Sequence, residues 1–121
     1  MPMILWITLG LFTMNFTEAQ ETVPKEVLLN TLNSFNRLKL SNLKTSELMK
    51  YNETYADKVY EVLDRDIPEK DQKEHLKTLA NDRERDLKDM IGSSKTRKYS
   101  NLMDKEMRVL VHKNKLLKYI Y

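Results

Sequence analysis

The chain of 121 residues contains no cysteine, and this absence excludes several kinds of chemistry at once. Without a thiol there is no cysteine nucleophile, no disulfide and no thiolate ligand for zinc. Only two histidines are present, His75 and His112, and they lie far apart without the spacing of a metal-binding motif. We therefore predict a protein that is not an enzyme, with no catalytic residue, no metal site and no cofactor.

Glycine and proline are scarce, with two and three residues respectively. The glycine-rich loops that hold phosphates are therefore excluded. The few helix breakers have clear positions in the pattern: Pro24 fits the first turn of a helix, Pro68 stops the helix before it, and Gly92 suits a left-handed C-terminal cap. This placement of helix-breaking residues at the predicted helix ends is typical of a small protein built mainly from helices.

The N-terminal segment is the clearest signal in the sequence. Residues 4–14 form an almost uninterrupted apolar run of about eleven residues, and Thr17-Glu18-Ala19 fits the small-x-small pattern of a cleavage site. The run is about half the roughly 20 apolar residues that a membrane span needs. A buried N-terminal helix is the alternative, which the lack of a Lys or Arg before the run favours. We predict a signal peptide over residues 1–19, one small domain over residues 20–121, and a secreted, extracellular product.

Apolar residues recur at helical spacing in the body of the chain and predict helices over residues 24–40, 46–63, 69–91 and about 97–107. The C-terminal segment differs, because residues 108–111 and 116–121 are short β-prone runs that predict a hairpin. The expected fold class is therefore α+β, with three to four helices and a short C-terminal β-hairpin. An all-α bundle is the alternative.

Asn52-Glu53-Thr54 is an acceptor sequence for N-glycosylation, and secretion would give it access to the modifying enzymes. Asn52 is thus a candidate glycosylation site. The alternative is that Asn52, which lies in the middle of a predicted helix, is engaged in the structure itself.

Charge is divided unevenly along the chain: residues 20–94 carry a net charge of −2, and residues 95–121 carry +6. Lys113, Lys115 and Lys118 alternate with apolar residues, so they predict an anion-binding patch on one face of a strand. The alternative is that these lysines protect an edge strand from aggregation. The expected partner is an extracellular protein or an anionic surface. Nucleic acid is excluded by the compartment, no transmembrane span is expected in the mature chain, and the oligomeric state stays open.

Two short segments resemble the opening of the CAP or SCP-like extracellular domain, found in cysteine-rich secretory proteins, antigen 5 and plant pathogenesis-related proteins. They are Leu-Asn-Ser-Phe-Asn-Arg at residues 32–37 and Met-Lys-Tyr-Asn-Glu-Thr-Tyr-Ala at residues 49–56. Asn33 and Asn52 match asparagines of the two family motifs, whereas Leu32 stands where the family has histidine. The resemblance implies a reduced, cysteine-free sandwich similar to short secreted nematode members.

The resemblance also implies a non-catalytic scaffold, because the His and Glu residues of the family's cleft have no counterpart in this chain. The combined interpretation is a secreted binding or interaction protein that lacks that cleft. The alternative function is a small secreted helical carrier of an apolar ligand or lipid, which the amphipathic helices permit.

Overall fold

The computed structural model describes residues 22–121, so the predicted signal peptide lies outside the described residues. Residues 22–121 form four α-helices and two 3₁₀ helices: α1 Lys25–Leu32, the 3₁₀ helix Asn36–Leu38, α2 Asn42–Leu63, α3 Glu69–Glu106, α4 Arg108–Lys113 and the 3₁₀ helix Lys115–Tyr119. No strand occurs anywhere in residues 22–121. The α+β prediction is therefore wrong, and the alternative of an all-α bundle is confirmed.

The predicted C-terminal hairpin is helical instead. Residues 108–111 belong to α4, and residues 116–119 belong to the last 3₁₀ helix, which begins where the Asn114 Oδ1 atom accepts a hydrogen bond from the Leu116 amide at 3.0 Å. Leu110, Leu117 and Ile120 are buried against the body of the protein. A two-stranded hairpin would have been marginal by itself, and packing of these apolar side chains overrides the β propensity of the segment.

The first two helices differ from their predicted bounds. α1 ends at Leu32 rather than near Leu40, and the chain then turns through Lys39, whose φ of 53° is left-handed. α2 begins at Asn42 rather than Ser46, because the Ser41 Oγ atom accepts a hydrogen bond from the Lys44 amide at 3.1 Å and caps the helix. The chain therefore reverses direction within a short connection, which brings α1 beside α2.

α3 consists of two arms that meet at a sharp bend. Gly92 interrupts the helix with φ of 88° and ψ of 160°, so residues 69–91 form the first arm and residues 93–106 the second. The sequence pattern correctly ended a helix at Gly92. It missed that the second arm begins directly after Gly92, with no intervening loop. The Lys95 Nζ atom donates a hydrogen bond to the Leu38 carbonyl at 2.6 Å, which ties the second arm to the connection before α2.

The core lies where α2 packs between α1 and α3 and where the C-terminal 3₁₀ helix returns onto α3. Residues that are completely buried there include Leu28, Leu32, Leu48, Val59, Leu76, Met103, Met107, Leu117 and Ile120. The hydroxyl of Tyr60 donates to the carbonyl of Val23, which fixes the extended segment before α1. In the described part of the chain, no helix combines the length and apolar character needed to cross a membrane.

Candidate ligand-binding site

The two histidines are separate surface residues. His75 lies on the first arm of α3 and His112 lies on α4, and both are exposed. Among residues 22–121, no group of three or more His, Cys, Asp or Glu side chains is placed to hold a metal ion. Neither histidine lines the cleft described below.

Asn52 is completely buried in the middle of α2. Its Nδ2 atom donates to the Leu32 carbonyl at 3.1 Å and to the Asn33 Oδ1 atom at 2.8 Å. The Leu32 carbonyl is one of the C-terminal groups of α1 that have no partner within their own helix, so Asn52 satisfies it from the neighbouring helix. A glycan could be attached to Asn52 only before these helices pack, and glycosylation stays a prediction for the nascent chain.

The three lysines of the predicted patch do not share a strand. Lys113 ends α4, Lys115 begins the last 3₁₀ helix and Lys118 lies within that helix. All three are exposed. A different basic cluster forms around Tyr119, which has the Nζ atoms of Lys118, Lys73 and Lys77 at 5.2, 5.2 and 5.7 Å from its ring centroid. The helical C-terminal segment therefore places Lys118 beside Lys73 and Lys77 of the first arm of α3.

The most unusual group in the described residues is a buried arginine that the sequence analysis did not single out. Arg83 lies on the first arm of α3 and is only 3% exposed. Its Cζ atom lies 4.5, 5.3 and 5.6 Å from the ring centroids of Tyr55, Tyr99 and Tyr51. We call these three tyrosines the tyrosine cage. Aromatic faces attract a cation at these distances, so the cage offsets part of the hydration that the guanidinium loses on burial.

A chain of hydrogen bonds connects Arg83 to the end of α1. The Nη2 atom donates to the Tyr99 Oη atom at 2.8 Å, and the Tyr99 hydroxyl donates to the Leu32 carbonyl at 2.6 Å. The Leu32 carbonyl thus accepts from both Tyr99 and Asn52. Because the C-terminus of a helix carries a partial negative charge, this end of α1 is a favourable neighbour for a cation.

Burial shapes the acid–base behaviour of the cage. It raises the pKa of Tyr55 and Tyr99 above the ordinary tyrosine value, although the nearby Arg83 charge opposes the shift in both. Burial is also the main cause that raises the pKa of Tyr51, which donates to the Asp86 Oδ2 atom at 2.8 Å. The three hydroxyls are therefore neutral donors at physiological pH, and the guanidinium is the charged group of the cage.

Two polar atoms of this network lack any hydrogen-bond partner: the Nη1 atom of Arg83 and the Oδ1 atom of Asn52. Arg83 also forms no ion pair with a carboxylate of residues 22–121. A buried donor without an acceptor is uncommon in a folded protein and requires an explanation.

Arg83 and Tyr99 also line a cleft of about 510 Å³ between the two arms of α3, which we call the bend cleft. Its other lining residues are Ala80, Asn81, Glu84, Leu87, Lys88, Ser93, Thr96, Arg97, Ser100, Met103 and Tyr121. The bend at Gly92 creates the cleft, because a straight helix would place its two halves along one line rather than facing each other. The volume lies within the roughly 300–1,000 Å³ typical of small-molecule sites.

The sequence contained one signal for this arginine. Leu76, Ala80, Arg83 and Leu87 recur at intervals of four, three and four residues, so Arg83 occupies a position of the apolar face of the first arm. A charged residue on a core-facing position is informative because arginine is rarely buried without a partner.

Comparison with profiles of known protein families, with curated protein sequences and with solved structures finds no match to this chain. The resemblance to the SCP-like domain therefore stays a prediction, and the described residues contain none of the strands that it implies.

Proposed function

We propose that this chain is a secreted, non-catalytic binding protein whose ligand occupies the bend cleft. The observation that carries the proposal is the cleft itself: two arms of one helix, set at an angle by a single glycine, enclose a volume suited to a small molecule. Its lining combines buried apolar side chains, Leu87 and Met103, with the polar groups of Arg83 and Tyr99. Such a mixture is common in sites where apolar contacts supply affinity and a few polar groups fix orientation.

Ligand binding in the cleft is tested with Nile red, an uncharged dye whose fluorescence increases in an apolar site. Ala80 is half-buried on the cleft wall, whereas Thr78 is exposed on the same arm and does not line the cleft. We expect saturable Nile red binding by the parent chain, an at least tenfold weaker affinity in Ala80→Trp, and no change in Thr78→Trp. Absence of saturable binding, or equal affinities of the two variants, would reject the proposal.

Secretion, which is supported by the apolar run and the cleavage pattern in residues 1–19, is tested on the same material. N-terminal sequencing of protein recovered from the culture medium should begin at Gln20. Recovery of the chain from the cytosol with Met1 in place would contradict secretion, without affecting the binding experiment.

A second candidate function, attachment to an anionic surface, is favoured by the lysines around Tyr119. On a heparin column, replacement of Lys73, Lys77 and Lys118 by Gln should lower the salt concentration at elution. Replacement of Lys39, Lys50 and Lys58, which are exposed on α2 and the connection before it, is the matched control for lost charge. Equal effects of the two triple variants would show that net charge, not the cluster, governs retention.

A further inference from the structure

The Arg83 guanidinium, which lines the bend cleft, favours one kind of ligand. A guanidinium presents several N–H donors in a plane, and carboxylate and phosphate oxygens match that geometry better than any other common group. Within the tyrosine cage, the Arg83 Nη2 atom donates to the Tyr99 hydroxyl, whereas the Nη1 atom has no acceptor. The tyrosine rings attract the charge, but they provide no oxygen for this nitrogen.

The charged residues around the cleft favour an anion as well. Three cationic side chains and one carboxylate side chain line it, and the Glu84 carboxylate lies 3.2 Å from the Lys88 ammonium, so that these two charges offset each other. Arg83 and Arg97 then remain as positive charges without a carboxylate partner in the described residues. An anion entering the cleft would therefore meet a net positive wall.

The apolar lining shows that a bare inorganic ion would use only part of the cleft. Leu87 and the half-buried Ala80 are apolar residues of the lining on the same arm as Arg83. Contact with these side chains increases the affinity for a ligand that carries an apolar portion next to its charged group.

We propose that the bend cleft binds a small amphipathic anion, whose carboxylate or phosphate group pairs with the Arg83 guanidinium on the cleft wall while its apolar portion contacts Leu87 and Ala80. This inference rests on the proposed function, because both use the same cleft. The competing explanation is a buried water molecule that joins the Arg83 Nη1 atom to the equally unpartnered Asn52 Oδ1 atom, in which case Arg83 would bind no ligand.

Four probes of equal chain length separate the chemistry: decanoate, decyl phosphate, 1-decanol and decyltrimethylammonium, each titrated against bound Nile red. We expect one or both anions to displace the dye at least tenfold more effectively than the alcohol and the cation. The better of the two anions identifies the headgroup. Equal displacement by decanoate and 1-decanol would overturn the inference but leave the proposed function intact, whereas failure of Nile red itself to bind would overturn both.

Two pairs of variants locate the interaction. Arg83→Met should weaken the binding of the preferred anion at least tenfold and leave 1-decanol unchanged, while Arg85→Met, an exposed position on the same arm, should change neither. Arg97→Gln should also weaken anion binding, in contrast to its neighbour Lys98→Gln, which loses the same charge outside the cleft. Equal effects within either pair would contradict the assignment.

A measurement on the unaltered sequence keeps the inference testable even if Arg83→Met does not fold. In a chain labelled with nitrogen-15, the Arg83 Nε–H signal should shift on addition of the preferred anion and stay in place on addition of 1-decanol. Through-bond spectra of the same chain, labelled with carbon-13 as well, assign the signal without any substitution. An Arg83 signal that does not respond to a bound anion would favour the buried water molecule.

Discussion

Replacing Gly92 by alanine tests the physical origin of the bend and hence of the cleft. Gly92 has φ of 88° and ψ of 160°, a region of backbone space that residues with a side chain rarely enter. A Cβ atom built at this position meets no other atom within 4 Å. Steric contact with neighbours therefore contributes nothing, and the whole folded-state effect of Gly92→Ala is backbone strain.

The expected magnitude follows from two opposing effects. Forcing a residue with a Cβ atom into this region costs about 1–3 kcal/mol. Alanine also restricts the unfolded chain, which offsets about 0.4–1 kcal/mol of that cost. We therefore expect Gly92→Ala to lower the free energy of unfolding by about 1–2 kcal/mol. For a domain of this size, each kcal/mol corresponds to roughly 4–8 °C in Tm.

The assay is urea unfolding followed by far-UV circular dichroism. Ser94→Ala, an exposed position two residues further along, is the matched control and should change stability by only a few tenths of a kcal/mol. A chain assembled by chemical ligation with D-alanine at position 92 should recover the stability of the parent, because a D residue favours positive φ.

The opposite sign would refute this account. If α3 ran straight through position 92, alanine would stabilise the helix by about 1 kcal/mol relative to glycine. A Gly92→Ala chain that is as stable as the parent, or more stable, would therefore show that the bend does not depend on glycine at this position.

Two further predictions concern the buried network. Asn52→Ala removes the amide that donates to the Leu32 carbonyl, so it should lower the free energy of unfolding by about 1–3 kcal/mol in urea titrations. Asn30→Ala, at an exposed position, is the control. Equal losses of stability in the two variants would contradict a specific role for Asn52. Because burial raises the pKa of Tyr55 and Tyr99, the native chain keeps protons that the unfolded chain releases above about pH 10. This contribution to the free energy of unfolding is fully present below pH 10 and is lost as the pH rises further, by up to about 1.4 kcal/mol per pH unit for each tyrosine. Tyr55→Phe should reduce this slope in urea titrations between pH 8 and 11. An unchanged slope would show that burial does not keep the Tyr55 hydroxyl protonated.

Helical periodicity was sufficient to predict the core positions of the first two helices. Leu28 and Leu32 lie four residues apart within the first predicted helix, and both are buried on α1. The residues at helical spacing in the second predicted helix also face the core of α2: Leu48, Tyr55, Val59 and Val62 are buried, and Tyr51 is partly buried. These features were predictable because each depends on neighbours within one helix.

The C-terminal segment was not predictable in the same way. Val109 and Val111 favour a strand locally, yet the chain forms α4 because Leu110, Leu117 and Ile120 pack against other elements. The Tyr55 hydroxyl donates to the Ile120 carbonyl at 2.6 Å, a contact between residues 65 positions apart. Short segments take their conformation from such tertiary contacts, which a pattern of neighbouring residues does not contain.

The candidate site was missed for a related reason. Arg83 lies among Asp82, Glu84 and Arg85 in the sequence, and a run of charged residues ordinarily indicates a solvated helix face. The rings that enclose it come from α2 and from the second arm of α3. Only the bend at Gly92, which turns Tyr99 back toward the first arm, brings the two groups within 2.8 Å.

Stability alone does not account for an arginine at this position. A buried cation loses its hydration, and replacing such a group by an apolar residue of similar volume is often neutral or stabilising. Methionine at position 83 would keep an unbranched apolar stem inside the cage, and Tyr99 would keep its hydrogen bond to the Leu32 carbonyl. The guanidinium therefore adds little that the fold requires. An anion in the bend cleft would supply the direct ion-pair partner that Arg83 lacks among residues 22–121, and this would explain an arginine that packing alone does not require.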